Sequence, residues 1–163
     1  MSTVTFIAGI VLAFVALPAS HGQDCEPLDV GCCFSIATVY NPEEMKLTLY
    51  DWTNDFWVYM VGNNGPTDKR HQWKVRANED DQFQLESVDY PGRCLCEKEH
   101  YGANYAGSCA CEAAEPLQQW ELEGEGDKVV LKRPDQDLYL YPCKDGSCIK
   151  VESKKYEWLI KKC

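Results

Sequence analysis

The chain has 163 residues, of which 26 are acidic and 16 are basic, so its formal net charge is −10. Apolar residues make up 45% and charged residues 26%, a mix that is typical of globular proteins and excludes wholesale disorder. The acidic balance argues against a nucleic-acid partner held by phosphate neutralisation. The length suits one domain.

The first 22 residues contain no Asp, Glu, Lys or Arg, and residues 6–17 form an apolar run. This run is shorter than the roughly 20 residues that span a bilayer and is typical of a signal-peptide core. Ser20 and Gly22 fit the small-residue positions before a cleavage site. We therefore expect residues 1–22 to be a signal peptide and residues 23–163 to be secreted without a membrane span. An uncleaved anchor or a buried helix is the alternative.

Cysteine occurs 10 times, always after the predicted signal peptide. An even number of cysteines in a small exported chain indicates a disulfide framework. The cysteines are Cys25, Cys32, Cys33, Cys94, Cys96, Cys109, Cys111, Cys143, Cys148 and Cys163. Five bridges can therefore form.

Two pairs of cysteines have the spacing of residues on one face of a strand. A hairpin would join them as Cys94 with Cys111 and Cys96 with Cys109. The alternative is a zinc site with four thiolate ligands, but one intervening residue is shorter than the usual ligand spacing. A further bridge is expected across a short turn, between the cysteines at 143 and 148.

Three segments of the chain end in a similar way around Trp73, Trp120 and Trp158, which lie 47 and 38 residues apart. Short apolar runs precede each Trp, and Gly, Pro, Asn and Asp punctuate them. This pattern predicts an all-β fold of three units at about 33–79, 80–127 and 128–163, with the tryptophans packed in the core. Residues 97–105 could form one helical turn at most.

One of these segments, Gln118-Gln119-Trp120, resembles the Gln-x-Trp motif of ricin-B-type β-trefoil lectins. Residues 92–96 and 140–144 are similar to the Gly-x-Cys-Leu-Asp and aromatic-Pro-Cys-Lys stretches of the same family. The resemblance implies a disulfide-stapled β-trefoil. The chain ends meet in a trefoil, so Cys163 should pair with Cys25, Cys32 or Cys33, leaving the other two to pair together.

The family's sugar pocket uses an Asp, an aromatic residue and an amide near the Gln-x-Trp motif. Carried over by the resemblance, the first unit offers Asp51 with Trp57 or Tyr59 as the aromatic residue. The second unit offers Gln118, and the third offers Tyr141. No unit has the full set, and Tyr141 could equally be a half-buried strand residue.

No nucleophile, metal or phosphate-binding motif occurs in the chain. His71 belongs to the first Trp segment and is expected to be structural, and His100 is expected in a polar loop. We therefore expect a protein that is not an enzyme, with no catalytic residue, no cofactor and no metal.

Charge is distributed unevenly along the chain: residues 23–127 carry a net −14 and residues 128–163 a net +4. Five lysines of the last unit could form a basic patch: Lys150, Lys154, Lys155, Lys161 and Lys162. Such a patch could bind sulfated glycans or an acidic surface, or it could offset the acidic remainder within the molecule.

These observations together predict a secreted binding protein that is lectin-like, with a glycan or glycoprotein as its partner. The alternative is a secreted matrix protein, toxin or inhibitor that acts through surface loops without binding sugar, because one fold supports unrelated functions.

Overall fold

The computed structural model describes residues 25, 29–43, 45–62, 68–77, 82–134, 136–145 and 147–163. The predicted signal peptide lies outside these residues. Within them the chain forms twelve β-strands and two short 3₁₀ turns, at Lys69–His71 and Pro116–Gln118, with no α-helix. In the described part of the chain, no helix has the length and apolar character that crossing a membrane requires.

The strands fall into three groups of four. The first unit contains β1 (Cys33–Thr38), β2 (Lys46–Trp52), β3 (Asp55–Val61) and β4 (Gln72–Ala77). The second contains β5 (Phe83–Ser87), β6 (Arg93–His100), β7 (Ala103–Ala110) and β8 (Glu121–Glu125). The third contains β9 (Lys128–Lys132), β10 (Tyr139–Pro142), β11 (Ile149–Glu152) and β12 (Trp158–Lys162).

The first and last strands of the units form a closed barrel. β1 pairs with β4 and β12, and β4 pairs with β5. A bridge between Phe83 and Trp120 joins β5 to the residue before β8. The ring is completed by β8 with β9 and by β9 with β12. The other strands make the hairpins β2–β3, β6–β7 and β10–β11, which meet through pairing of β7 with both β3 and β11.

The three tryptophans occupy equivalent positions in the core. Their side chains are fully buried, as the sequence predicts. Each indole Nε1 donates a hydrogen bond of 3.1 Å to a leucine carbonyl on the second strand of its own unit. The bonds run from Trp73 to Leu47, from Trp120 to Leu95 and from Trp158 to Leu140. This repetition around a closed barrel confirms the predicted β-trefoil.

The hydrogen bonds also correct the alignment of the units. Counting back 26 residues from Trp73 and Trp120 in the sequence would match Leu47 with Cys94. The indole hydrogen bonds instead match Leu47 with Leu95 and Leu140. Residues 97–105 form no helical turn, because they lie in the β6–β7 hairpin. Its two-residue turn contains Tyr101 at φ 50° and Gly102 at φ 72°. Both central residues have positive φ, as tight hairpin turns require.

Five disulfides join the ten cysteines. In the second unit, β6 and β7 are linked by the nested pairs expected from the spacing, Cys94–Cys111 and Cys96–Cys109. A bridge between the cysteines at 143 and 148 closes the β10–β11 turn. The ends of the barrel are joined by Cys33–Cys163, and the remaining bridge is Cys25–Cys32. These pairs resolve the choice left open among the first three cysteines.

Candidate functional site

The third strand of the first unit meets the corresponding strands of the other units where the three hairpins join. Trp57 on β3 pairs with Gly107 on β7, and Tyr105 on β7 pairs with Lys150 on β11. Because the two registers are equivalent, Val58, Ala106 and Ile149 occupy matching positions, and all three are buried. These apolar residues form the floor of a pocket where the three hairpins meet. We call this pocket the axial pocket.

The axial pocket has a volume of about 290 Å³. Most of its wall is aromatic, and the rest includes Cys148 of the disulfide that closes the β10–β11 turn. The lining residues are Trp57, Val58, Tyr59, His100, Tyr105, Ala106, Cys148 and Ile149. A concave, mostly apolar site with a few polar groups at its edge is the usual form of a small-ligand site.

The orientation of the Trp57 ring is fixed by two charged side chains. The indole Nε1 donates a hydrogen bond of 2.7 Å to Asp55, and Lys98 Nζ donates one of 2.5 Å to the same carboxylate. The hydrogen bond from Lys98, followed by that from Trp57, lowers the pKa of the Asp55 carboxyl below its usual value. Lys98 Nζ also lies 4.3 Å from the centroid of the indole ring, a cation–π distance.

Gly107 makes room for this arrangement. A Cβ atom at Gly107 would lie 2.3 Å from Cδ of Lys98 and 3.0 Å from the carbonyl oxygen of Phe56. The aliphatic stem of Lys98 therefore crosses the glycine on its way to Asp55. Because Gly107 on β7 has no side chain, Lys98 on β6 can reach the indole of Trp57 on β3.

His100 connects the aromatic residues of two hairpins. Its ring centroid lies 5.2 Å from that of Trp57, 4.2 Å from that of Tyr101 and 6.3 Å from that of Tyr105. The sequence predicted a polar loop here, and that prediction was wrong because His100 is the last residue of β6. The Tyr-Gly pair that follows, with a pair of closely spaced cysteines on either side of it, was the signal that could have placed His100 on a hairpin.

A second depression lies beside the axial pocket. It has a volume of about 610 Å³ and is lined by Tyr105, Cys143, Lys144, Asp145, Cys148 and Lys150. We call it the lysine trough. Tyr105 and Cys148 line both cavities, so the aromatic pocket and the lysine trough are neighbours that share a wall.

The structure brings two of the five residues predicted as ligand contacts, Trp57 and Tyr59, into the axial pocket. Asp51 lies outside it, exposed near the β2–β3 turn, where it accepts a hydrogen bond of 2.7 Å from the backbone of Asn54. Since Leu47 matches Leu95, the residue equivalent to Cys96 is the buried Thr48 and not Asp51. Asp51 therefore does not occupy the position of the family's Asp.

Gln118 lies in the interior and is 1% exposed. Its amide donates to the carbonyl of Ala110 over 2.6 Å and accepts from the backbone of Glu112 over 3.0 Å and from Gln84 over 3.3 Å. These bonds fix the segment that leads from β7 to the following 3₁₀ turn. The side chain faces this segment and not the solvent.

Tyr141 is half-buried on β10 and lines neither cavity described above. Its ring contacts that of Tyr156 edge to face at 5.8 Å, and Lys154 Nζ lies 5.4 Å from its centroid. Among the described residues, no group of three His, Cys, Asp or Glu side chains is arranged to hold a metal ion.

The basic patch predicted on the third unit is largely neutralised within the molecule. Three of its five lysines form ion pairs with carboxylates: Lys154 with Glu152, Lys155 with Glu123 and Lys161 with Glu43. Lys150, by contrast, lies in the lysine trough.

Comparison with known proteins gave matches among solved structures only. No protein-family model matches the sequence, and no curated protein matches it. The Macrolepiota procera ricin B-like lectin, solved in complex with lactose, superimposes with a TM-score of 0.64 at 13% identity, over 85% of this chain and 100% of the lectin. The fold is therefore a β-trefoil.

Other similar structures are a salivary protein and a toxin. A salivary protein from Culex quiquefasciatus, of the cysteine and tryptophan-rich family, has a TM-score of 0.65 at 19% identity, over 84% of this chain and 98% of that one. A mosquitocidal holotoxin has a TM-score of 0.69 at 18% identity, over 82% of this chain but only 17% of its own length. The chain thus shares its fold with lectins and with part of a toxin.

Proposed function

We propose that this protein is a secreted, non-enzymatic binding protein that takes a saccharide into the axial pocket. The observation that carries the proposal is the Trp57 indole, which forms one wall of a concave aromatic site and is held in place by Asp55 and Lys98. The fold that it shares with a lactose-bound lectin supports the same class of ligand.

The chemistry of the pocket suits a sugar ring. Saccharides offer C–H groups that pack on aromatic faces and hydroxyl groups that need hydrogen-bond partners. Trp57, Tyr59 and Tyr105 supply the aromatic surface, while His100 and the Tyr hydroxyls supply polar groups. Because Asp55 fixes the indole before any ligand arrives, little conformational entropy is lost on binding.

Secretion is part of the proposal and is supported by the covalent framework. Five disulfides in a chain of this size suit an oxidising compartment. The signal-peptide pattern of residues 1–22 and the similarity to a salivary protein agree with an extracellular location.

A glycan array probed with the oxidised protein tests the proposal. We expect binding that free sugar competes away and that Trp57→Ala abolishes. Trp52→Ala is the matched control, because Trp52 is on the same hairpin, is 60% exposed and lies outside the pocket. Retention of binding by Trp57→Ala, together with its loss in Asp51→Ala or Tyr141→Ala, would move the site to positions that the family resemblance predicts.

A protein partner is the second candidate function, because aromatic side chains are exposed at the hairpin tips. Tyr101 is 95% exposed and Trp52 is 60% exposed. They lie at the ends of β2–β3 and β6–β7, whose strands pair. Exposed aromatic residues of this kind serve as anchors in protein interfaces. A blank glycan array would favour this function and a role as toxin, inhibitor or matrix component.

A further inference from the structure

We propose further that the saccharide bound here is acidic, with one sugar ring in the axial pocket and a sulfate or carboxylate group of the adjacent sugar ring in the lysine trough. The inference rests on the proposed saccharide pocket and names the class of saccharide. It follows from the wall that the two cavities share at Tyr105 and Cys148. A chain of two or more sugar rings can occupy both cavities at once.

Lys144 and Lys150 give the trough a positive charge that is available for a ligand. Neither lysine belongs to any ion pair found among the described residues. Lys150 Nζ lies 6.0 Å from the centroid of Tyr105, so the ammonium group is held near the shared wall. The availability of these two lysines contrasts with Lys154, Lys155 and Lys161, which pair with carboxylates.

Asp145 is the one acidic residue among the described residues that line the trough. Its carboxylate accepts a hydrogen bond of 3.1 Å from the backbone of Ser147 and stabilises the turn closed by the local disulfide. Hydrogen bonds from Ser147, and to a lesser extent the charge of Lys150, lower the pKa of this carboxyl. Two lysines and one ionised aspartate leave the trough with a net positive charge.

The net charge of the whole chain affects which length of acidic ligand the trough prefers. A protein of net charge −10 disfavours a long polyanion that extends beyond the trough, so the lysine pair suits a short acidic segment. The turn that carries Lys144 is covalently closed by Cys143–Cys148, which reduces the entropy lost when the anion binds.

The test uses three probes with the same ring sequence: a heparin-derived hexasaccharide, its desulfated and N-acetylated form, which keeps the carboxylates, and a form that is also carboxyl-reduced and therefore neutral. We expect the neutral form to bind most weakly to the oxidised protein in calorimetry. Comparison of the two acidic forms assigns the anion as sulfate or carboxylate. Binding of the preferred form should weaken when NaCl rises from about 50 to about 500 mM, because exposed charges are screened.

Lysine variants locate the charge. Lys144→Gln and Lys150→Gln should each weaken acidic binding by about threefold, and the double variant by about tenfold, the size of exposed ionic contacts. Lys128→Gln is the matched control, since Lys128 is exposed, lies outside the trough and should leave affinity unchanged. Trp57→Ala should abolish binding of every form.

Each other result overturns a defined part of the argument. Equal affinity for neutral and acidic forms, or equal effects of Lys128→Gln and Lys150→Gln, would refute the acidic ligand and leave the saccharide pocket intact. Acidic binding that survives Trp57→Ala would contradict the pocket as well. Absence of binding to all three forms would reject the acidic saccharide, while the glycan array decides the proposed function separately.

Discussion

The indole Nε1 of Trp120 donates a hydrogen bond to the carbonyl of Leu95, which lies 25 residues earlier and 3.1 Å away. The same bond links Trp73 with Leu47 and Trp158 with Leu140. Each bond ties the last strand of a unit, or in the second unit the residue just before it, to the second strand of that unit. The three contacts therefore hold the barrel to the hairpins around the whole fold.

Replacement of Trp120 by Phe should lower the free energy of unfolding by about 2–4 kcal/mol, because a buried carbonyl loses its donor and part of the indole volume becomes empty. Trp73→Phe and Trp158→Phe should fall in the same range. Urea denaturation of the oxidised variants measures all three. Trp52→Phe, at an exposed site, should change stability by less than about 0.5 kcal/mol. A core variant that loses no more stability than this control would contradict the equivalent role of the three tryptophans.

Two of the disulfides close loops of very different length. Cys33–Cys163 spans 130 residues, whereas Cys143–Cys148 spans 5. Loop-closure entropy in the unfolded chain predicts that loss of the first costs about 5 kcal/mol and loss of the second about 2 kcal/mol. Paired Cys→Ala variants, compared in urea denaturation, measure the difference. Equal costs would show that entropy of the unfolded chain is not the main contribution of these bridges.

Gly107→Ala should displace Lys98 and alter the environment of Trp57. The new Cβ would lie 2.3 Å from Lys98 Cδ, so the ammonium group should leave the indole and Asp55. The indole N–H signal of Trp57 in a ¹⁵N-correlated NMR spectrum should shift, while that of Trp120 serves as the internal reference. Lys98→Met keeps an unbranched apolar side chain without the charge and should reproduce the shift. An unmoved Trp57 signal in both variants would refute the role of Lys98 in holding the Trp57 indole.

His71 makes stability depend on pH. Burial, and then the nearby charge of Lys46, lowers its pKa below 6.5, although Asp68 acts in the opposite direction. The unfolded chain therefore binds a proton more readily, so this contribution to stability is present above about pH 6.5 and is lost as pH falls toward the folded pKa. The slope is at most about 1.4 kcal/mol per pH unit.

The His71→Gln variant tests this dependence, and Gln is the residue found at the equivalent position before Trp120. Thermal unfolding between pH 7 and pH 5, monitored by circular dichroism, should show a weaker acid effect in this variant than in the wild type. His100→Gln removes a histidine from the exposed end of β6 and should retain the acid effect. The same acid effect in both variants would rule out His71 as its source.

Much of the architecture could be predicted because the repeated contacts use residues that are recognisable in the sequence. Tryptophan is rare enough that Trp73, Trp120 and Trp158 mark the units, and the cysteine spacing marks one hairpin. The alignment within units could not be fixed to a single residue, because Leu95 is flanked by cysteines and Leu140 by tyrosines. Only the hydrogen bond from each indole identifies the matching leucine.

The candidate site was harder to predict because its residues come from different units. Trp57 and His100 contact each other through pairing of β3 with β7, and local periodicity contains no information about such pairing. Gln118 was expected to contact a ligand because a glutamine at this position matches the Gln-x-Trp motif. Its burial depends on hydrogen-bond partners that sequence spacing does not reveal. Residue type identified candidates, whereas tertiary register decided which of them meet.

The closed barrel also affects how this protein behaves at high concentration. Exposed strand edges are where chains join by adding strands to one another's sheets. Five of the six barrel strands have neighbours on both sides, and β8 pairs with β9 while Trp120 just before it bridges to Phe83. β1 is also covalently linked to the residue after β12. Among the described residues, these five strands therefore offer no edge on which amyloid-like stacking of neighbouring molecules could begin.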